Sequence, residues 1–151
     1  MEYLTQLIHN KILLTAASAW IVAQVVKFFI HLIVHRKVVW ERLIGDGGMP
    51  SCHSCTVTAT ATAVGIYCGL DSAPFAIATI VAIIVMHDAT GVRLETGKQA
   101  VIINDMMELL KSMGNSMKTS HEKLTEFVGH TPIQVAVGSL LGLFYSLLIN
   151  L

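Results

Sequence analysis

Two histidines in this chain stand where an imidazole could work as an acid, a base or a nucleophile. His53 lies in "GGMPSCHSCTVTA" (47–59) and His130 in "GHTPIQV" (129–135), each just ahead of an apolar stretch. Gly45, Gly47 and Gly48 let the backbone bend closely, and Pro50 suits the first turn of a helix. The amides beside Ser51, at the positive end of that helix's dipole, favour an anion, with His53 projecting next to it. In the second stretch Pro132 marks a helix start, and His130 and Gln134, four apart, face the same way. Each site taken alone also reads as a capped helix with a histidine at headgroup level.

Cys52 and Cys55 offer a competing chemistry, because C-x-x-C can bind zinc or form a redox dithiol. A structural zinc site needs four good ligands, and no second Cys/His pair follows at finger-like spacing. The third cysteine, Cys68, is about four helical turns further on.

The elements that must hold these groups are membrane helices. The 151 residues have the length of one domain, 1–151. Formal net charge is zero, 54% of residues are hydrophobic and 13% charged, about half the charge of a soluble domain. Such a neutral chain lacks the basic face that nucleic-acid binding needs. Apolar stretches at 12–34, 54–70, 73–89 and 131–151 read as four spans, the second being less hydrophobic and rich in Ala, Thr and Gly. The first is too long for a signal sequence and has no A-x-A site after it. The expectation is an all-α polytopic bundle forming a single integral membrane domain.

Orientation follows from the basic residues. Arg36, Lys37 and Arg42 lie between the first two spans, and Arg93, Lys98, Lys111, Lys118 and Lys123 between the last two, eight of ten in total. That face should be cytoplasmic, at a bacterial-type inner membrane or its equivalent. It is also the reducing side, where Cys52 and Cys55 stay thiols. His53, His87, Asp88, Arg93, Lys98, His130 and Gln134 then fall at one depth. Trp20, Gln24, Lys27, His31 and His35 form a stripe on the first span, with Lys27 about 12 Å inside it. An ammonium there either points inward to a partner or anionic ligand, or snorkels to the interface, and Gln24 and His31 on the same side favour the inward reading.

From Gly97 to about Met113 the apolar period is helical and one face is polar, which predicts an amphipathic helix on the cytoplasmic surface. The stretch 114–123 reads as a polar loop that leaves His121 solvated. Small residues four apart (Ala59/Ala63, Gly65/Gly69, Gly138/Gly142) permit close helix packing, within one chain or in a homo-oligomer.

"AWIVAQVVKF", "GGMPSCHSCTVTA", "MHDATGVRLETGKQA" and "GHTPIQVAVGSLLG" together resemble the divergent branch of the type-2 phosphatidic acid phosphatase superfamily, related to acid phosphatases and vanadium-dependent haloperoxidases. The resemblance covers nearly the whole chain. It implies that Pro50-Ser51-Cys52-His53 is similar to the P-S-G-H block, whose histidine protonates the leaving group. His130 resembles the attacking histidine, and Lys27 the phosphate-binding lysine. Four departures accompany it: no Arg-Pro follows Lys27 at the expected distance, Cys52 replaces the block's glycine, Leu124 stands in the third block's arginine position, and Gln134 stands where an aspartate orients the nucleophile. Asp88 could supply that missing charge, and Arg93 or Lys98 the missing phosphate contact.

The resulting expectation is a phosphatase that hydrolyses a lipid phosphate or diphosphate, on a phospholipid or polyprenyl chain, at the cytoplasmic leaflet through a phosphohistidine intermediate. His130, His53 and Asp88 would be catalytic, and Lys27, Ser51, Arg93, Lys98 and Gln134 would bind substrate. No metal or cofactor is called for, and vanadate should inhibit as a phosphate mimic. The alternative is a membrane protein that keeps the phosphate pocket but binds or moves an anionic lipid without cleaving it. Haloperoxidase activity fits poorly with a site opening at a membrane surface.

Overall fold

The computed structural model describes residues 1–36, 47–113, 123–126 and 128–151, and no side-chain detail of His35. Lys37, Arg42, Gly45, Lys118 and His121 therefore lie outside the described residues. Six helices follow in order: α1 (Glu2–Ile8), α2 (Lys11–His35), α3 (Cys52–Cys68), α4 (Ala73–Thr90), α5 (Val92–Ser112) and α6 (Pro132–Asn150). The all-α membrane bundle expected from the sequence is what forms.

Side-chain caps set most of the starts. The Asn10 carboxamide oxygen accepts from Leu13 N at 3.1 Å, and Ser72 Oγ accepts from Phe75 N at 3.2 Å. Each satisfies one of the amides a helix leaves open. The α3 cap is Ser51, so Pro50 precedes the cap instead of filling the first helical position. A proline is accommodated there because its missing N–H is not needed by the helix.

α3 is the hub, and α2, α4 and α6 all pack on it. The buried residues are small: Ala19, Ala23, Cys52, Cys55, Ala59 and Ala63. Large apolar side chains such as Ile21, Phe29, Ile84 and Phe144 face outward. This inverted distribution suits a bilayer, where lipid solvates large side chains and small ones let helices close up. α2, the α4–α5 run and α6 are each long and apolar enough to cross a membrane. α3, with 17 residues, is the shorter and less hydrophobic one, and its neighbours sheathe it. That explains its Ala- and Thr-rich sequence: little of it has to meet lipid.

Gly138 and Gly142 make the closest packing. A Cβ on either would collide with the carbonyl oxygen of Ser51 or of Cys55, respectively. The glycine pair thus works within the chain, joining α6 to α3.

The amphipathic helix starts earlier than its pattern indicated, at Val92 directly after Gly91. Val101, Ile102, Met106, Leu109 and Met113 remain exposed along it. Gly97 sits inside the helix because the returning chain lies against it; a Cβ there would be 2.9 Å from Glu126 O. Asn104 clamps that return, donating to Leu124 O at 2.9 Å and accepting from Leu124 N at 3.0 Å. Its amide and the Lys123 ammonium hold the Glu126 carboxyl below the usual carboxylate range.

Candidate active site

Two backbone bonds bring the histidine-bearing ends together. Ser51 N donates to Gln134 O at 3.1 Å, fixing the start of α3 beside the start of α6. His130 N donates to Ala89 O at 2.9 Å, fixing the entry to α6 against the end of α4. Gly129, at φ +87°, makes the second contact feasible: its backbone is left-handed, and a Cβ would run into Leu94 N. The result is a pair of imidazoles whose centroids are 6.1 Å apart, at an interplanar angle of 58°.

His130 is only 2% exposed, and its ring is oriented by Gln134. Thr131 N donates to Gln134 Oε1 at 3.0 Å, and His130 Nδ1 lies 3.3 Å from the same oxygen. Thr131 and Gln134 form a reciprocal capping box. Because the backbone N–H must donate, the amide atom facing it is the oxygen. The imidazole then donates from Nδ1, which leaves Nε2 as the lone-pair nitrogen of the neutral ring. Gln134 thus sets the tautomer.

Lys27 is 2% exposed, so it turns inward instead of snorkelling. Its stem passes under the glycine loop, where a Cβ on Gly48 would lie 3.7 Å from Lys27 Cγ. Its Nζ lies 3.7 Å from Cys52 Sγ, and that sulfur lies 3.9 Å from His53 Nδ1. Cys52 therefore bridges the lysine and the histidine. Sequence reasoning missed this role, and the signal available was a cysteine in place of the family's glycine, next to the histidine. Ser51 is fully buried, and its Oγ accepts from Ser54 N at 3.3 Å. It contributes a cap, and the first-turn amides of Cys52 and His53 follow it.

The stripe on α2 divides. Gln24 is buried with Lys27, His31 is half-buried, and Trp20 faces outward. Asp88 and Arg93 pair with each other at 2.6 Å on the exposed rim. Lys98 bonds Glu95 at 2.7 Å further out, with both side chains about 60% exposed. The structure thus gathers Lys27, Ser51, His53, His130 and Gln134, sets Asp88 and Arg93 at the edge, and leaves Lys98 outside.

The cysteines do not converge. Cys55 Sγ donates to Ala19 O at 3.6 Å, away from the Cys52 contacts, and Cys68 is exposed at the other end of α3. Among the described residues, no group of three or more His, Cys, Asp or Glu side chains is placed to hold a metal ion.

Residues 8–145, which contain every one of these groups, match the family described as "Divergent PAP2 family". The chain belongs to that family. It is similar to the "Uncharacterized membrane protein YuiD" of Bacillus subtilis (strain 168), at 41% identity over 95% of this chain and 96% of that protein. No solved structure shows significant similarity. For this divergent PAP2 protein, then, the paired histidines at helix starts coincide with the blocks that carried the resemblance.

Proposed function

We propose that this divergent PAP2 protein is a phosphatase acting on a lipid phosphate or diphosphate at the cytoplasmic leaflet. The observation that carries the reading is the His53–His130 pair at 6.1 Å beside a buried Lys27. An anion entering between the rings meets a nucleophile on one side and a proton donor on the other.

In the first step His130 Nε2 attacks phosphorus as the P–O bond to the lipid breaks. His53, protonated, gives its proton to the departing oxygen. A water then attacks the phosphohistidine and passes its proton to His53. The P–N bond breaks, phosphate leaves, and His130 is neutral again. Lys27 and the α3 first-turn amides stabilise charge on the phosphoryl oxygens, and Arg93 meets the headgroup at the rim. Gln134 holds the His130 tautomer, while Asp88, through Arg93, tunes the rim. Lys98, committed to Glu95, takes no part. The mechanism calls for no cofactor, and vanadate should inhibit as a phosphoryl mimic. The cytoplasmic placement rests on the basic residues flanking this end of the spans.

Gln134 also favours a second reading. An amide orients imidazole but does not stabilise imidazolium as a carboxylate would, so the pocket could bind an anionic lipid without cleaving it. Phosphate release from phosphatidate, phosphatidylglycerophosphate and polyprenyl diphosphate by detergent-purified protein separates the two. Wild type should exceed His130→Ala on at least one substrate. Equal rates on all three, with intact lipid phosphate copurifying, would replace hydrolysis by binding.

A further inference from the structure

α4 and α6 both pack on α3 but barely on each other. Between them lies an apolar cavity of about 510 Å³, within the range of small-molecule sites. Ala61 and Gly65 of α3 form its floor, Phe75 and Ala82 line the α4 side, and Leu143 and Leu147 line the α6 side. The small floor residues create the space. At Gly65 a Cβ would be 2.9 Å from Leu70 Cδ2 and 3.1 Å from Phe75 Cε2, so its absence lets those side chains close the lower end.

From Phe75 to Met86 the cavity follows α4 for about 16 Å at 1.5 Å per residue. At the upper end Ser139 Oγ donates to Met86 Sδ at 3.0 Å. One turn beyond is Ala89, whose carbonyl anchors His130. The crevice therefore ends about one turn short of the residue that anchors His130 and runs from there into the bilayer region. Its outer wall is continuous with the lipid-facing surface, where Ile80, Ile83, Leu140 and Phe144 are exposed. Its lining is apolar except at Thr58, Thr62 and Thr79, so water filling it would have few polar partners, and leaving it empty forfeits dispersion contacts. Hydrocarbon is the material that surrounds it.

We propose that this crevice seats one hydrocarbon chain of the lipid whose phosphate lies between His53 and His130, which rests on the function proposed above. The chain lies along α4, and the flexible Met86 thioether is the side chain it passes on the way from the headgroup. The protein then reads the tail as well as the phosphate. Long-chain substrates gain affinity from the crevice, and short-chain ones do not.

The test uses phosphatidate and polyprenyl phosphate that carry a photoactivatable group far along the chain, with the protein in nanodiscs. Photolabelling of His130→Ala, which needs no turnover, should map to Ala82, Ile83 or Leu143, and the lipid that labels more strongly identifies the source of the chain. Ala61→Phe fills the floor. Ile83→Trp narrows the outer wall from a lipid-exposed position that tolerates bulk. Both should lower crevice labelling and raise KM for long-chain substrate about tenfold, with release from a short-chain phosphatidate unchanged. Labelling spread evenly over the outward faces of α2 and α6, or unaffected by both variants, would overturn the proposal. Crevice labelling in a wild type that releases no phosphate would uphold the crevice and remove the hydrolysis.

Discussion

At the end of the bundle away from the histidines, polar groups from three helices satisfy one another. Asn150 Nδ2 donates to Thr15 Oγ1 at 3.1 Å and to Ser146 O at 2.8 Å, and Tyr67 OH donates to Asn150 Oδ1 at 2.8 Å. Lys11 Nζ lies 5.5 Å over the Tyr67 ring. Thr15 and Ser146 are buried, yet each is tied to that amide. At the opposite end the same helices α2, α3 and α6 gather Lys27, Cys52, His53 and His130: a lysine, a thiol and two imidazoles, where an anion is favoured. The first cluster is closed and structural. The second concentrates basic groups at 2% exposure around Lys27 and His130, an arrangement with a desolvation cost and, on our reading, a function that explains it.

Substitutions at the two ends should therefore fail differently. Lys27→Met keeps the volume and removes the charge, and it should cut kcat/KM about 100-fold or more with little loss of thermal stability. A parallel loss of Tm would make Lys27 structural. Gly138→Ala pushes a Cβ into the Ser51 carbonyl, which should separate the α3 and α6 starts and cost about 2–3 kcal/mol, read as a lower Tm in detergent together with lost activity. Asn150→Leu opens the far clasp and should cost about 1 kcal/mol while the rate at saturating substrate stays near wild type. If Asn150→Leu abolished turnover without unfolding, the division between the ends would be wrong. Gln134→Glu keeps an acceptor for Thr131 and His130 and adds a charge for imidazolium. It should raise the chemical step about two- to tenfold, and a large decrease would show that the neutral amide is required.

Much of the histidine end could be read before any coordinates, and none of the far clasp. A charge-poor chain with a lysine deep in an apolar run predicted an inward Lys27, because lipid penalises the alternative. Two Gly/Pro helix starts followed by apolar runs predicted where His53 and His130 sit. What the pattern could not supply was long-range placement. Trp20 shares a helical face with Gln24 and Lys27, yet it is exposed while they are buried, because spacing fixes the face and not which turns of it a neighbouring helix covers. Lys98 lies close in sequence to Arg93 but turns to Glu95, a nearer and exposed partner. The first turn of α5 lies against Gly129, and Gly97 lies against Glu126 and Val128, and periodicity along one helix carries no trace of such contacts. The roles of Cys52 and of the Gly138–Ser51 contact likewise exist only once α2 and α6 close on α3.

The central claim is that His130 takes the phosphoryl group while His53 handles the proton. An activated aryl phosphate needs no proton at its leaving oxygen, so with His53→Ala it should still phosphorylate His130, and the missing base should let the adduct accumulate. Mass spectrometry after an alkaline quench is then predicted to find phosphate on His130 and none in His53→Ala/His130→Ala. No adduct, or an adduct on another residue, would contradict the account.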